Sequence, residues 1–409
     1  MNFTDGLEPS LGETLSNLSE DTHYGSCFDA YDPDSDLNLF EFITNGVVLN
    51  VVGLLGVVGN VLSMVVLSRP QMKSSVNCLL IGLARCDTIL ILTSMMLFGL
   101  PAIYSYTGKL FYYYYSIYPR ISPYVYPVAM IAQTASVYIT MTVTLERWVA
   151  VCHPLRARAL CTHGRARWHL CAIALFCILY NIPRFWEVSS REYRIRDTTI
   201  HCVEASDLRA ESLYITLYIH WSYLVFLYFI PFSSLACLNA MIYRQIRKAN
   251  RERQRLSRSQ RREIGLATML LCVVVVFFIC NVLALVTNIL EAFYHIIEDR
   301  LVKTSNMLVT INSSVNFIIY VIFGEKFKRT FLRLFCSPAL SRSKSRRESM
   351  DYYSPGAFRG DESFISNGQD SRSIRLVRCD TATTTANNNG AIRGKRPPSY
   401  YIKKEDSVC

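Results

Sequence analysis

Charge is scarce in this chain. Only 18% of its 409 residues are Asp, Glu, Lys or Arg, 51% are hydrophobic, and the mean hydropathy is +0.20, a balance that places it among membrane proteins. Residues 1–45 hold ten acidic side chains and no Lys or Arg, and no acid occurs between Glu146 and Glu187. The opening MNFTDGLEPSLGE lacks both a basic n-region and an apolar h-region, so no cleaved signal peptide is expected and the first apolar span serves as the targeting signal. Metal-ligand clusters, nucleophile constellations and phosphate loops are missing as well, which predicts that the chain is not an enzyme. The absence of an internal repeat counts against the repeat-built transporter folds.

Long apolar runs are abundant. They recur at 46–68, 78–104, 122–152, 168–186, 213–245, 264–293 and 304–323, each close to the ~20 helical residues that cross a bilayer. The expected fold is therefore an all-α membrane protein, a seven-transmembrane helix bundle whose ends lie on opposite sides. Arg244 to Arg262 carries nine basic residues against the single acid Glu252, which makes that loop cytoplasmic, the N-terminus extracellular and the C-terminus cytoplasmic. The sequons at Asn2 and Asn17 fit glycosylation on the outer side. Beyond residue 45 there are 43 basic and 22 acidic residues, but the inward loops and tail account for that excess, so nucleic acid is not an expected partner.

The topology disperses the fourteen cysteines. Cys78, Cys86, Cys171, Cys177, Cys237, Cys272 and Cys280 fall in spans, and Cys152, Cys161, Cys336, Cys379 and Cys409 on the reducing side. Cys27 and Cys202 remain outside and are expected to pair.

Four regions follow: an acidic, glycosylated N-terminal segment (1–45), the seven-span body (46–323), a membrane-surface helix (324–336) and a cytoplasmic tail (337–409). In the third, Phe323, Phe327, Phe331 and Phe335 alternate with Lys326, Lys328, Arg329 and Arg333. One apolar stripe and one basic face suit a short amphipathic helix on the inner leaflet, and Cys336 at its end suits reversible palmitoylation; the alternative is an ordinary packed helix with a surface thiol. The tail holds sixteen Ser or Thr and is too polar to bury a core. Its RRES stretch presents Ser349 to a basophilic kinase, and the final DSVC faintly resembles a PDZ ligand.

Polar side chains inside the apolar spans need separate reasons. Asp87 in LARCDTIL costs ~2.5–3.5 kcal/mol at depth on insertion scales, whereas the long stem of Arg85 can snorkel. Asn60, Asn312, Ser313 and Asn316 supply partners from the first and seventh spans. They read as one network around a single carboxylate, with a sodium ion as its candidate guest and no other cofactor, or as interhelical glue. At the inner end of the third span, MTVTLERWVAVCHPLRARAL places Glu146 beside Arg147. The pair reads equally as a helix-end marker or as a charged group held until something competes for it.

The ordered set GN at Asn60, LARCD at Asp87, ERWVAVCHPL, Pro183, Pro231 in FIPF and NFIIY resembles the rhodopsin-like G-protein-coupled receptors across about residues 46–336. More narrowly, QTASVYITMTVTLER, NIPRFWEV and INSSVNFIIYVIFGEKFKR look like insect FMRFamide receptors. The resemblance implies that Arg147 is the G-protein-facing switch held at rest by Glu146. It further implies that Tyr320 helps to keep the inner side open, that Pro154 and Leu155 lie in the second inner loop with Leu155 entering the G protein, and that arrestin and receptor kinases use the tail. Departures are equally plain. Ser122 replaces the usual Cys of the third helix, Asn239 a Tyr of the fifth, Val282 and Ala284 the Trp and Pro of the sixth, and Phe317 the Pro of the seventh, so the usual toggle and proline hinge are absent.

Ala129 stands where aminergic receptors carry Asp, which disfavours a small amine. The acids of the N-terminus with Glu187, Glu204, Asp207 and Glu291 would steer a cationic ligand. The aromatic run LFYYYYSIYP, with Phe185, Trp186, Tyr223 and Phe293, would stack on Arg or Phe. An amidated neuropeptide ending in Arg-Phe-amide has both features. Glu187, Trp186, Glu204 and Glu291 are its expected contacts, with Tyr223 and Phe293 beside them. The alternatives are a myosuppressin-like peptide and, from another class, a seven-span channel or transporter. The expected location is the plasma membrane.

Overall fold

The computed structural model describes residues 31–195, 198–251 and 258–335, all within the compact unit Met1–Lys344. Asn2, Asn17, Cys27, Cys336 and Ser349 lie outside the described residues. Among those described, six helices are long and apolar enough to cross a membrane: α1 (Asp36–Leu67), α2 (Ser75–Thr107), α3 (Tyr113–Cys152), α4 (His163–Trp186), α5 (Ser212–Ala249) and α6 (Ile264–Tyr294). The seventh, α7, is two segments, Asp299–Ser314 and Asn316–Phe323, that meet at 40°, and α8 (Glu325–Phe335) follows it.

α1 begins ten residues before the expected boundary at 46, and α3 nine before 122. Apolar runs mark where lipid is met, not where a helix starts, and polar caps carry helices beyond that limit. Ser35, Ser74 and Thr162 each accept a hydrogen bond from the backbone N–H three residues on, starting α1, α2 and α4, as N-caps do. Gly108, at φ 67°, ends α2 in the left-handed conformation that glycine adopts without a Cβ penalty.

α3 is the central post, packed against α2, α4, α5 and α6, while α7 closes the bundle against α1, α2 and α6. Leu79, Leu83, Ile139, Val143, Tyr320 and Phe327 belong to the largest buried cluster, near α8. Leu54, Leu55 and Val58 face outward, as expected where helices satisfy their own backbone and the solvent is lipid. The opposite stripe of α1 is small: a Cβ on Gly56 would stand 2.2 Å from Ser314 Oγ, so glycine is what lets α1 approach α7.

α7 bends although Phe317 stands in place of proline. Ser314 Oγ donates to Thr310 O at 2.8 Å, and such back-bonding by serine bends helices. The loss of the family proline therefore does not straighten α7.

The segment between α4 and α5 is a hairpin rather than a plain loop. Strands β1 (Val188–Ile195) and β2 (Thr198–Ala205) pair antiparallel, with Arg191 opposite Cys202. Val188, Tyr193, Thr199, Ile200 and Val203 give it the β-branched and aromatic content that strands favour. The aromatic run LFYYYYSIYP, which falls between the second and third apolar runs, forms the first turns of α3. Tyr115 is buried with Tyr104, Ile200 and Cys202, Tyr113 donates to Met96 O at 2.7 Å, and Tyr112 stays exposed. These rings clamp the hairpin onto the bundle.

Helix regularity differs between the two ends. Toward the hairpin, Phe42–Leu49, Met95–Gly99, Tyr113–Ile117, Ile215–Ser222, Leu224–Phe229 and Leu290–Tyr294 are π-helical. Such wider turns re-aim side chains and recur at functional sites. At the other end α8 splits its apolar stripe. Phe327 and Phe331 pack on Tyr320 and Phe317, while Leu332 and Phe335 face outward. The helix is thus both docked on the bundle and apolar toward its surroundings.

Candidate functional site

Three clusters of polar side chains are built into the bundle. The first surrounds Asp87, which is fully buried on α2. One carboxylate oxygen accepts from Ser136 Oγ on α3 at 2.7 Å and the other from Asn316 Nδ2 on α7 at 2.8 Å. Asn60 Nδ2 on α1 donates to Ser313 O at 3.1 Å. Three helices, α2, α3 and α7, are thereby joined through one carboxylate, and Asn60 ties α1 to α7. Asn312, expected in this network, is only partly buried and makes no side-chain hydrogen bond among the described residues; Ser136 fills that role from α3. Ser313 Oγ lies beside the carboxylate without a hydrogen bond of normal geometry, and Asn60 Oδ1 and Ser63 Oγ are also buried without a partner. Oxygen donors beside a buried carboxylate are the chemistry that a hard cation takes, and Asp87 with Ser136 and Ser313 supplies it.

The second cluster lies at the α8 end. Glu146 and Arg147 are both buried, yet the glutamate does not hold its neighbour in the expected manner. Its two oxygens accept from Ser75 Oγ at 2.6 and 2.8 Å. Adjacent residues on a helix point about 100° apart, so a carboxylate close in sequence reaches more readily across to α2. Tyr320 is buried against Phe327. The short helix Pro154–Leu160 leaves Leu155 83% exposed between basic residues.

The third cluster, toward the hairpin, was not foreseen. Arg184 is 3% exposed and pairs with Glu187 at 3.2 Å. Its guanidinium donates to the Tyr126 hydroxyl at 2.8 Å and lies over the rings of Tyr218 and Tyr223, 5.2 and 5.3 Å from their centroids. Tyr214 donates to Glu187 at 2.7 Å. The spacing of Arg184 and Glu187 is the one signal in the sequence, since residues three apart meet on a helical turn. The tyrosines come from α3 and α5 and could not be assigned to it beforehand.

This cluster changes the reading of the expected ligand contacts. Glu187 is fully buried and committed to Arg184 and Tyr214, so it is not the open carboxylate that was anticipated. Tyr223 likewise faces Arg184. Glu204 is paired with Arg191 at 3.1 Å and accepts from the Tyr193 hydroxyl. Glu291 is half-buried on α6 and has no ion pair among the described residues. Trp186 remains exposed, and Phe293 meets Trp221 edge to face at 5.3 Å. Cys202 is disulfide-bonded, whereas Cys78, Cys86, Cys152, Cys161, Cys171, Cys177, Cys237, Cys272 and Cys280 are free.

A seven-helix bundle with a buried acid at its centre and an Arg at one end of the third helix is the framework of a membrane receptor. Residues 59–320 match the family described as 7 transmembrane receptor (rhodopsin family), and the chain belongs to that family. It is accordingly a multi-pass membrane receptor and not an enzyme. The FMRFamide receptor of Drosophila melanogaster is 60% identical to it over 320 residues, which are 78% of this chain and 58% of the fly protein. The FMRFamide peptide receptor frpr-18 of Caenorhabditis elegans is 34% identical over 295 residues, 69% of this chain and 67% of the worm protein. The chain thus spans less than two thirds of the fly receptor's length.

Proposed function

We propose that this chain is a receptor for an amidated neuropeptide of the FMRFamide type, which it binds at the hairpin end and reports to a heterotrimeric G protein at the α8 end. The observation that carries this reading is the 60% identity with the fly FMRFamide receptor. In this reading the N-terminus is extracellular with glycans at Asn2 and Asn17, and the receptor sits in the plasma membrane. Leu155 enters the G protein beside Pro154, Cys336 is palmitoylated, Ser349 is the target of a basophilic kinase, and arrestin and receptor kinases act through the tail. Sodium rests at Asp87. The free acid of the peptide should be weaker than the amide by roughly tenfold or more, because its C-terminal carboxylate meets an acidic surface. Calcium and cyclic-nucleotide responses of expressing cells to both forms test this, and equal potency would remove the amide from the recognition. Replacing sodium by choline in the binding buffer should alter peptide affinity in the wild type but not in Asp87→Asn; an identical shift in both would place the ion elsewhere.

Cys27 is the proposed partner of Cys202, and it ties the N-terminal segment to the hairpin. Peptide mapping without reduction should recover the two in one cross-linked fragment. Recovery of Cys27 as a free thiol would disprove the pairing.

A further inference from the structure

A cavity of about 450 Å³ opens between the hairpin ends of α5 and α6. That is within the size range of small-ligand sites, ~300–1,000 Å³. Leu224 and Ile215 give it an apolar floor, Trp221 and Phe293 an aromatic wall, and Thr216 and His220 polar edges. The π-helical turns of both helices build it: Ile215–Ser222 on α5 faces Leu290–Tyr294 on α6. α6 then stops at His295, another lining residue, whose φ of 54° is the left-handed conformation that a non-glycine side chain rarely adopts. A backbone departure of this kind beside a cavity points to a function for the cavity.

Its chemistry selects one part of the peptide. Carboxylates are absent from the lining, so the cavity holds no counter-ion for a guanidinium. Trp221 and Phe293 are each about half exposed, 49% and 50%, which leaves ring surface for a further aromatic contact. Imidazole and hydroxyl edges can exchange hydrogen bonds with a neutral carboxamide. The two nearest acids in sequence lie just outside: Glu211 precedes Ser212, and Glu291 precedes Ala292, both of which line the cavity.

We infer that this cavity is the subsite for the C-terminal aromatic residue and amide of the peptide, and that the arginine before it is met at the rim by Glu291 or Glu211. The inference rests on the ligand class proposed above. It also assigns Arg184 and its tyrosine cage to the receptor's own architecture, not to the cationic ligand, because that cage is already filled.

The test compares FMRFamide with an analogue ending in Leu-amide, on cells expressing the wild type, Trp221→Ala or Phe293→Ala, with surface levels measured through an N-terminal epitope. The wild type should prefer the Phe-amide peptide by roughly tenfold or more. Both variants should lose most of that preference, through weaker Phe-amide potency with Leu-amide nearly unchanged, and Phe293→Tyr should retain it. Glu291→Gln together with Glu211→Gln should weaken both peptides alike. A preference that survives unaltered in both alanine variants at normal surface level overturns the subsite. Silence of a surface-expressed wild type toward both peptides overturns the ligand class and, with it, this inference; the two failures are therefore distinct.

Discussion

Arg184→Leu is expected to lower the thermal stability of the detergent-solubilised receptor more than any other single change at the hairpin end. Removing the guanidinium leaves the fully buried Glu187 carboxylate with the Tyr214 hydroxyl but no cation, and breaking a buried ion pair costs ~3–5 kcal/mol. The same change removes stacking that joins α4 to α3 and α5. Arg184→Leu with Glu187→Leu should recover much of the loss, because a buried pair replaced by apolar side chains of similar volume is often neutral. Melting of the purified single and double variants, each beside the wild type, measures both effects. A single variant as stable as the wild type would mean that Glu187 finds another cation or water, and the cluster would lose its structural role.

Arg147→Ala is expected to abolish the G-protein response while peptide binding at the hairpin end survives. The two ends of a bundle whose helices carry 32 residues or more, as α1, α2, α3 and α5 do, are separated by the full membrane thickness, ~30 Å of hydrocarbon. A side chain at one end therefore influences ligand affinity at the other only through a shift between states. Ser75→Ala provides the internal comparison, since it removes the hydroxyl that the two Glu146 oxygens share and leaves the arginine in place. Guanine-nucleotide exchange on membranes, with peptide binding measured in parallel, decides the matter. Normal exchange in Arg147→Ala would withdraw the switch role, and loss of both binding and exchange would indicate misfolding instead.

Part of the polar interior is legible in the sequence. Asp87 with Asn60 and Asn316 stood out because a carboxylate costs free energy in an apolar helix, and the bundle does gather Asn316 onto it. The same logic does not reach Asn312, which shares the segment but is only partly buried. Glu146 and Arg147 were found because a charged pair ended an oily run, yet neighbours in sequence are not neighbours on a helix surface, and Ser75 from α2 took the carboxylate. Glu187 shows the opposite error. An acid just past the end of a span looks like surface, and only its contacts with Arg184 and Tyr214 show that it is inside.

The sequence by itself determined the number of spans, their order and the acidic and basic regions, since bilayer thickness and the placement of charge are one-dimensional demands that a chain meets locally. The tertiary structure decided the rest. It brought Asn60 to Ser313 across 253 positions, turned the segment after α4 into a hairpin, bent α7 without a proline, and separated committed carboxylates from Glu291 on α6, which has no ion pair among the described residues. Those outcomes depend on which helix faces meet. Periodicity reports that a face is apolar or polar, but only packing in three dimensions reports what stands opposite it.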